Sequence, residues 1–317
     1  MEVKVTVPGL ERLVDVVASG IGSIAGPMLA PWRARRETAA KLIEAEGAAE
    51  VLRLQAEAQA EARRVLAVEG DAVTGEIDIG DGIRQRIEFQ ERKRQANIVA
   101  VVSRAALLLA DTRAPAVETD HDWTARFFGE VQDVSSDDMQ ALWGSVLAGE
   151  VREPGATSMR TLGILKDLDA STARLFSRLC SAAVYLKASE GEVFDARVPS
   201  LGGNAAQNSL ESYGLSFDVL NRLNEHALVI PDYNSYNTYV VVEQSTTDVE
   251  LHHQGIRWDC DILTDGRKKV PVKLHGVALT VAGRELSRFV SSEPMEGYTE
   301  ALKEFLRRDF RLRMRPI

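Results

Sequence analysis

The hydrophobic and polar positions follow a helical rhythm along the first third of the chain. From Arg33 to Glu69 the sequence contains one Gly and no Pro, and nearly all of its residues are strong helix formers. Its small or apolar positions recur in steps of four, four and three residues, which is an eleven-residue period. They are Ile43, Gly47, Val51, Leu54, Ala58, Ala62 and Val65. The pattern predicts one long helix, the rod, that carries a narrow apolar seam.

The seam is the expected oligomerisation surface. Gly47, Ala58 and Ala62 are small, and the distance between packed helices depends on the side chains at the contact, so a partner helix could approach closely. Three arrangements stay open at this point. The rod packs inside one protomer, it joins copies of the chain, or it binds a different molecule.

A second helix is predicted over residues 83–110. Its first half, IRQRIEFQERKRQAN, is charged, and its second half, IVAVVSRAALLLA, is apolar nearly all round. The apolar half should therefore be buried, and the charged half should project into solvent or back onto the rod. The rod and this helix together predict a helical hairpin or coiled-coil region over residues 33–110.

The pattern changes twice further along the chain. Residues 111–190 predict a domain of short helices, one of them capped by Asp169, with a core of Trp123, Phe127, Phe128, Trp143, Leu162, Leu165 and Phe176. Residues 191–317 contain short runs in which polar and apolar positions alternate, and helices capped by Ser216 and Thr280 lie between them. This pattern is typical of a winged-helix-like α+β domain. The expected fold class is mainly α, with long N-terminal helices, a central helical domain and this C-terminal domain.

Residues 1–32 form an apolar, Gly-rich leader. Val16 to Trp32 is a run of seventeen residues without a charge, which is the lower limit of transmembrane length, and its Gly and Pro residues weaken a helix. Buried packing, peripheral contact with a membrane and a membrane span all remain open. The charge pattern before this run does not fit a secretory signal, so we expect a cytoplasmic protein, peripheral to the inner membrane if the run meets lipid.

Composition and charge narrow the function classes. The chain has 317 residues and a net charge of −9, which disfavours a dedicated nucleic-acid-binding protein on bulk electrostatics. Cys180 and Cys260 lie far apart without a CxxC neighbour, so free thiols are expected rather than a disulfide or a zinc site.

A search for catalytic patterns finds none with a complete set of residues. The sequence contains no GxxxxGK[ST], GxSxG, HExxH or GxGxxG. Pro231-Asp232 and Glu243 have a nuclease-like spacing, but the Lys that such a site needs is missing. Adjacent His252 and His253 on a strand point to opposite faces and cannot both bind one metal. We therefore expect no catalytic, cofactor-binding or metal-binding residues and favour a non-enzymatic protein, although acids that folding brings together would escape this search.

Basic residues cluster at two places near the C-terminus. Nucleic-acid contact is expected there if it occurs at all, because a wing can place such residues against phosphates. They are Arg267, Lys268, Lys269, Lys273, Arg307, Arg308 and Arg311.

Several ordered segments carry a family resemblance. The run DDMQALWGSVLAGEVREPGATSMRTLGILKDLDASTARLF, preceded by DHDWTARFF, and the segments RQANIVAVVSRAALLL and ALTVAGREL resemble a bacterial family of unknown function, number 2806 in its series. The helix ending near LAG and the LxxLxxLD run also resemble the abortive-infection alpha proteins of phage defence. The family resemblance implies no activity and no site residues.

Three function hypotheses follow. The first is a bacterial interaction protein that forms a homo-oligomer through the rod and recruits or senses a protein partner, in phage defence by resemblance. The second is a nucleic-acid-binding regulator that uses the basic residues of the wing and the tail. The third is a membrane-surface protein held by Val16 to Trp32.

Overall fold

The structure is a computed structural model, and its chain divides into two compact units. Unit 1 ends at Leu162, and unit 2 begins at Gly163. The described residues are 8–21, 79–110, 112, 117–188, 193–203, 206–230, 232, 235–242, 249–263, 269–291 and 293–317. The rod and its seven seam residues lie outside them, so the seam stays a prediction. The finer division of the chain at residues 32, 110 and 190 also stays a prediction.

The described part of unit 1 is helical. Its helices are α1 (Pro8–Ile21), α2 (Ile79–Leu109), α3 (His121–Val131) and α4 (Asp137–Arg152), and α5 (Met159–Lys166) spans the boundary between the units. Helix α2 packs along α4, and α1 packs on α2, α3 and α4. Asp120 caps α3, because its side chain accepts a hydrogen bond from the backbone N–H of Trp123.

Aromatic side chains fill the centre of unit 1. Phe127 stacks on Trp123, with ring centroids 5.0 Å apart, and meets Trp143 edge to face at 5.2 Å. Phe128 packs edge to face on Phe127. All four side chains are buried, which confirms the part of the predicted core that lies in unit 1. Leu165 and Phe176, predicted for the same core, are buried in unit 2.

The two halves of α2 lie in different environments, as the sequence pattern predicts. Ile98, Val101 and Ala105 in the second half are buried. The residues from Gly80 to Glu88 are all exposed, Ile83 and Ile87 among them. The helix therefore extends beyond the packed part of unit 1 that the structure describes.

A buried carboxylate holds the loop after α4. Glu150 accepts hydrogen bonds from the backbone N–H groups of Gly155 at 2.6 Å and Thr157 at 3.2 Å. The indole N–H of Trp123 donates to the Thr157 carbonyl at 2.8 Å. This loop, EPGATS, is part of the sequence run that carries the family resemblance, and it is held by Glu150 on one side and by Trp123 on the other.

Unit 2 is built on one antiparallel sheet. Its strands are β1 (Val184–Ala188), β2 (Val193–Pro199), β3 (Val229–Ile230), β4 (Tyr236–Val242), β5 (Val249–His253), β6 (Ile256–Ile262), β7 (Lys269–Leu279) and β8 (Leu312–Pro316). Its helices are α6 (Ala170–Ala182), α7 (Phe217–Glu225), α8 (Val281–Ser287) and α9 (Tyr298–Phe310), with a short 3-10 turn at Glu211–Tyr213.

The sheet is curved. The strand order is β3-β7-β2-β1-β5-β6-β8, with β4 also paired to β7 on the side of β3. Strand β4 contacts β6, and α9 contacts both β7 and β8, so the two ends of the sheet bend toward each other around α9. The opposite face packs against helices, since α6 contacts β2, α7 contacts β3 and α8 contacts β7.

Three predicted helix caps of unit 2 are confirmed. Asp169 accepts a hydrogen bond from Thr172 N, Ser216 from Val219 N, and Thr280 from Gly283 N. Each of these polar side chains stands directly before its helix, where it satisfies a backbone N–H that has no partner in the helix.

The predicted fold class is wrong for the C-terminal part. A winged-helix-like domain has only a small β-hairpin, its wing. Unit 2 instead contains an eight-stranded antiparallel sheet. The short alternating runs are strands of one sheet, joined by pairings between distant segments such as β1 with β5 and β6 with β8. Helices still account for more of the described residues than strands do.

Two strands lie in segments that the sequence pattern assigns to the end of a helix and to a basic tail. Residues 184–188 form β1, although they continue the apolar pattern of α6. Residues 312–316 form β8, although they look like a basic tail. In β8, Leu312 and Met314 are buried and the Arg side chains between and after them are exposed, which is strand alternation over a length too short to be decisive alone.

Candidate functional site

The concave face of the sheet in unit 2 lines a partly open cavity with a volume of about 110 Å³. Paired residues of neighbouring antiparallel strands share a face of the sheet. Leu186 of β1 therefore shares the concave face with Leu251 of β5, and Leu251 shares it with Trp258 of β6. Leu302 and Leu306 of α9 line the cavity opposite the sheet. The wall is thus built from side chains of widely separated segments.

A buried ion pair lies on the same face of the sheet. Arg197 and Asp195 of β2 form two hydrogen bonds, Nε to Oδ2 at 2.7 Å and Nη2 to Oδ1 at 3.1 Å. Arg197 Nη1 also donates to the Leu274 carbonyl at 3.0 Å. The hydroxyl of Tyr239, a cavity-lining residue of β4, donates to Asp195 Oδ2. The cluster joins β2, β4 and β7 beside the cavity.

The ionisation of this cluster follows from its contacts. Burial has the largest single effect on Asp195 and raises its pKa, but the hydrogen bonds from Arg197 and Tyr239 outweigh it, so the pKa lies below the ordinary value. Burial, together with the bond to Asp195, raises the pKa of Tyr239. The cluster therefore holds one carboxylate, one guanidinium and one neutral phenol at neutral pH.

His253 has a structural environment. It is fully buried, its Nδ1 lies 2.9 Å from the Ala183 carbonyl, and its Nε2 lies 3.0 Å from the Thr299 hydroxyl. Because a carbonyl only accepts, Nδ1 carries the proton and Nε2 accepts from Thr299. Burial lowers the pKa of His253, and the bond to Ala183 opposes this effect only in part. The neutral ring ties β5 to the start of β1 and to α9.

Groups suited to metal binding do not come together in the described part of the chain. No three side chains of His, Cys, Asp or Glu form a group able to hold a metal ion there. Cys180 and Cys260 are free thiols, and burial raises the pKa of each to about 12, so both are protonated at neutral pH.

The predicted nucleic-acid contacts are only partly described. Arg267 and Lys268 lie outside the described residues. Lys269 and Lys273 are exposed on β7, which is a strand of the large sheet rather than a wing. Whether any of these side chains contacts nucleic acid stays a prediction.

The basic residues of α9 have acidic neighbours. Arg307 Nε lies 2.8 Å from Glu304, and Arg308 Nε lies 2.6 Å from Asp309. Arg311 is exposed and ends the helix in a left-handed conformation. These ion pairs reduce the positive field that two of the arginines offer to a phosphate.

The leader is described only as far as Ile21. Val16 and Val17 are buried within unit 1, and residues 22–32 lie outside the described residues. Among the helices that the structure describes, none combines the length and the hydropathy that crossing a bilayer requires. Peripheral contact through Val16–Trp32 stays a prediction.

The cavity and its ion pair could not be found from the sequence. The strand EVFDARV alternates in a way that fits Asp195 and Arg197 on one face, but alternation alone places them in solvent, where charged residues usually lie. Tyr239 and the aliphatic wall belong to other strands, so only the pairing of distant segments brings the site together.

Comparison with known proteins assigns the family. The family model described as "Protein of unknown function (DUF2806)" matches residues 81–303, which run from the start of α2 into α9 and cover well over half of the chain. No curated protein and no solved structure matches the chain. The chain therefore belongs to the DUF2806 family of proteins of unknown function.

Proposed function

We propose that this protein is a non-enzymatic, cytoplasmic interaction protein that assembles into a homo-oligomer through its N-terminal helices. The observation that carries the proposal is the apolar face of α2. Ile83 and Ile87 are 44% and 51% exposed. Val101 and Ala105 follow them by eighteen residues, which is about five helical turns, so all four share one face. Val101 and Ala105 are fully buried.

The same face of α2 is thus packed along one half of the helix and open along the other. Gln90 and Arg94 lie on this face between the exposed isoleucines and the buried residues, so Ile83 and Ile87 form an apolar patch of their own. An exposed apolar patch on a helix favours a partner helix along this first half of α2. Three arginines near the isoleucines have local partners: Arg84 pairs with Asp81, Arg92 with Glu88 and Arg94 with Glu91. These pairs reduce the positive charge of the surface, which favours a protein partner over a nucleic acid.

A second copy of the chain is the partner that we propose. The rod carries small or apolar positions in steps of four, four and three residues, and Ile83 and Ile87 are spaced by four. Matching spacing is what helices need to pack side by side over a long distance. Seven basic and seven acidic residues are mixed along the rod, so like copies would not repel strongly.

The first test is the mass of the assembly in solution. Ile83→Arg plus Ile87→Arg should weaken association at least about a hundredfold, because each lost isoleucine contact costs roughly 1.5–3 kcal/mol. Multi-angle light scattering should then give a mass that falls toward the 34.8 kDa of one chain. Leu54→Arg plus Val65→Arg should act in the same direction if the rod takes part.

The matched control carries the same charge change on the opposite face of α2. Gln85→Arg plus Glu88→Gln adds two positive charges, as the isoleucine variant does, and should keep the wild-type mass. A wild-type protein that is monomeric at all concentrations, or an unchanged mass in both arginine variants, contradicts the proposal.

The proposed setting is phage defence, in which the assembly acts as a sensor or as the partner of an effector. The support for this setting is the resemblance of the short-helix pattern near LAG and LxxLxxLD to the abortive-infection alpha proteins. The measurement of mass in solution does not test this setting, which needs an experiment in cells.

A further inference from the structure

We infer that the cavity on the concave face of the unit 2 sheet is a binding site for a small, neutral, apolar molecule of about the size of a benzene ring. This inference goes beyond assembly, because it gives unit 2 a ligand of its own. It rests on the volume of the cavity, on the chemistry of its wall, and on the residues available to fill it.

The volume suits a small organic molecule. The cavity measures about 110 Å³, whereas a single water needs roughly 10–15 Å³ by the same kind of measure. An apolar protein cavity of about 150 Å³ holds benzene. Native interiors are close-packed and keep few voids larger than a water, so the gap between the sheet and α9 is large enough to serve as a binding site.

Most of the wall is apolar. Its aliphatic part includes Leu186, Leu251, Val272, Leu274, Leu302 and Leu306. A buried water needs two to four polar partners, and these aliphatic side chains offer none. The aliphatic part of the cavity therefore favours a hydrocarbon surface over water.

The polar side chains of the wall already have partners. Tyr239 donates to Asp195, the Trp258 indole donates to the His253 carbonyl at 3.1 Å, and Asp259 pairs with Arg315 at 2.7 Å. Cys260, another residue of the wall, carries a protonated thiol. A charged ligand would find no free counter-charge among these groups and would lose its hydration, so the ligand is neutral.

The neighbouring connections of the chain cannot supply the occupant. The segment between β4 and β5 reads EQSTTD over residues 243–248, and the segment between β6 and β7 reads TDGRK over residues 264–268. Neither contains a large apolar side chain. An occupant of matching chemistry therefore comes from outside these segments, and a small molecule fits the volume.

The cavity is partly open rather than fully enclosed. A small molecule can therefore reach it from solvent.

The test uses benzene as the probe on the full-length chain. Addition of benzene should shift the methyl resonances of Leu186, Leu251 and Leu274 in a saturable manner, and it should raise Tm, since a ligand that binds only the folded state stabilises it. Benzylamine, which has the same ring and a positive charge at neutral pH, should produce neither effect.

Two variants locate the binding. Val272→Phe fills the cavity and should remove the saturable benzene response. Val281→Phe makes the same change at a position that is 60% exposed at the start of α8 and should keep the wild-type response. If Val272→Phe does not fold, Leu251→Phe at a half-buried wall position takes its place.

Three results would overturn the inference. They are a wild-type protein whose methyl resonances do not respond to benzene, a cavity-filled variant that responds as the wild type does, and a benzylamine response equal to that of benzene. The first removes the site, the second places binding elsewhere, and the third removes the neutral ligand class.

Discussion

The buried side chain of His253 makes the stability of unit 2 depend on pH. Its ring is fully buried between the Ala183 carbonyl and the Thr299 hydroxyl, and burial lowers its pKa below the ordinary value. In the unfolded chain the imidazole returns to a pKa of about 6.5. Below that pH the unfolded state binds more protons than the folded state, so the free energy of unfolding falls as the pH falls.

The expected pH dependence is a loss of stability on acidification from pH 7.5 to about pH 5.5. The contribution of His253 cannot exceed about 1.4 kcal/mol for each pH unit below 6.5. His253→Gln removes the titrating group. The free energy of unfolding of this variant should therefore fall less than that of the wild type between pH 7.5 and pH 5.5. Urea denaturation at the two pH values measures the difference.

The control for His253 is the same substitution at a surface histidine. His121→Gln changes an exposed residue at the start of α3 and should keep the wild-type pH dependence. If His253→Gln and the wild type lose equal stability between the two pH values, the neutral buried ring is not the cause.

Residues whose role depends on near neighbours could be predicted from the sequence. Asp169, Ser216 and Thr280 cap the helices that they precede, because a cap acts over three residues. The aromatic core of unit 1 follows from helical spacing in the same way. Asp195 and Arg197 lie two residues apart on β2, but their burial and the hydrogen bond from Tyr239 depend on other strands. The cluster therefore could not be predicted from the sequence.

At the scale of an element, β7 depends on one glycine. Gly276 has a φ of 151°, and a Cβ at this position would lie 2.0 Å from the Val198 carbonyl oxygen of β2. The backbones of β2 and β7 approach closely there, where Pro199 pairs with Gly276. A side chain would push apart the two strands that connect β4 to the centre of the sheet.

We expect Gly276→Ala to lower the free energy of unfolding by about 2–4 kcal/mol, because it combines backbone strain with loss of strand packing. Urea denaturation followed by far-ultraviolet circular dichroism measures the change. Gly255→Ala is the matched control, because Gly255 also has a positive φ, 73°, but no atom lies within 4 Å of its added Cβ. Gly255→Ala should lower the free energy of unfolding by only about 1–2 kcal/mol. Equal losses would show that close approach of the strands is unimportant.

Helices and strands differed in how well the sequence predicted them. The second half of α2 and the short helices of unit 1 have their hydrophobic period within a single segment, so the period is readable. Strands β1 and β8 contain five residues each, which is too few to separate from the end of a helix or a charged tail. Their identity depends on β5 and β6, which lie far away in the sequence.

For the whole molecule, the sequence predicted the helical N-terminal part of the described chain and the family, but not the sheet. Long-range pairing creates both the curved sheet and its cavity, and neither leaves a local pattern. The assembly proposal belongs to this scale as well, because it concerns several copies of the chain.

The phage-defence setting yields an expectation in cells. Bacteria that express the wild-type protein should give fewer plaques than bacteria that express Ile83→Arg plus Ile87→Arg, because a defence response that depends on assembly is lost with the contact. Plating efficiency on a panel of phages measures this difference. Gln85→Arg plus Glu88→Gln should protect as the wild type does. If bacteria that express the wild type plate phages as well as bacteria without the protein, this setting is ruled out.

The two ends of the sheet differ in their protection against aggregation. Among the strands that the structure describes, the two-residue β3 and the longer β4 and β8 each pair on one side only. Strand β8 exposes Arg313 and Arg315 and ends on Pro316, and charged side chains and Pro hinder the addition of a foreign strand. Strand β4, with the sequence YNTYVVV, has neither. A partly unfolded molecule would therefore recruit others through β4, which makes residues 236–242 the first place to introduce a lysine when the protein precipitates during storage.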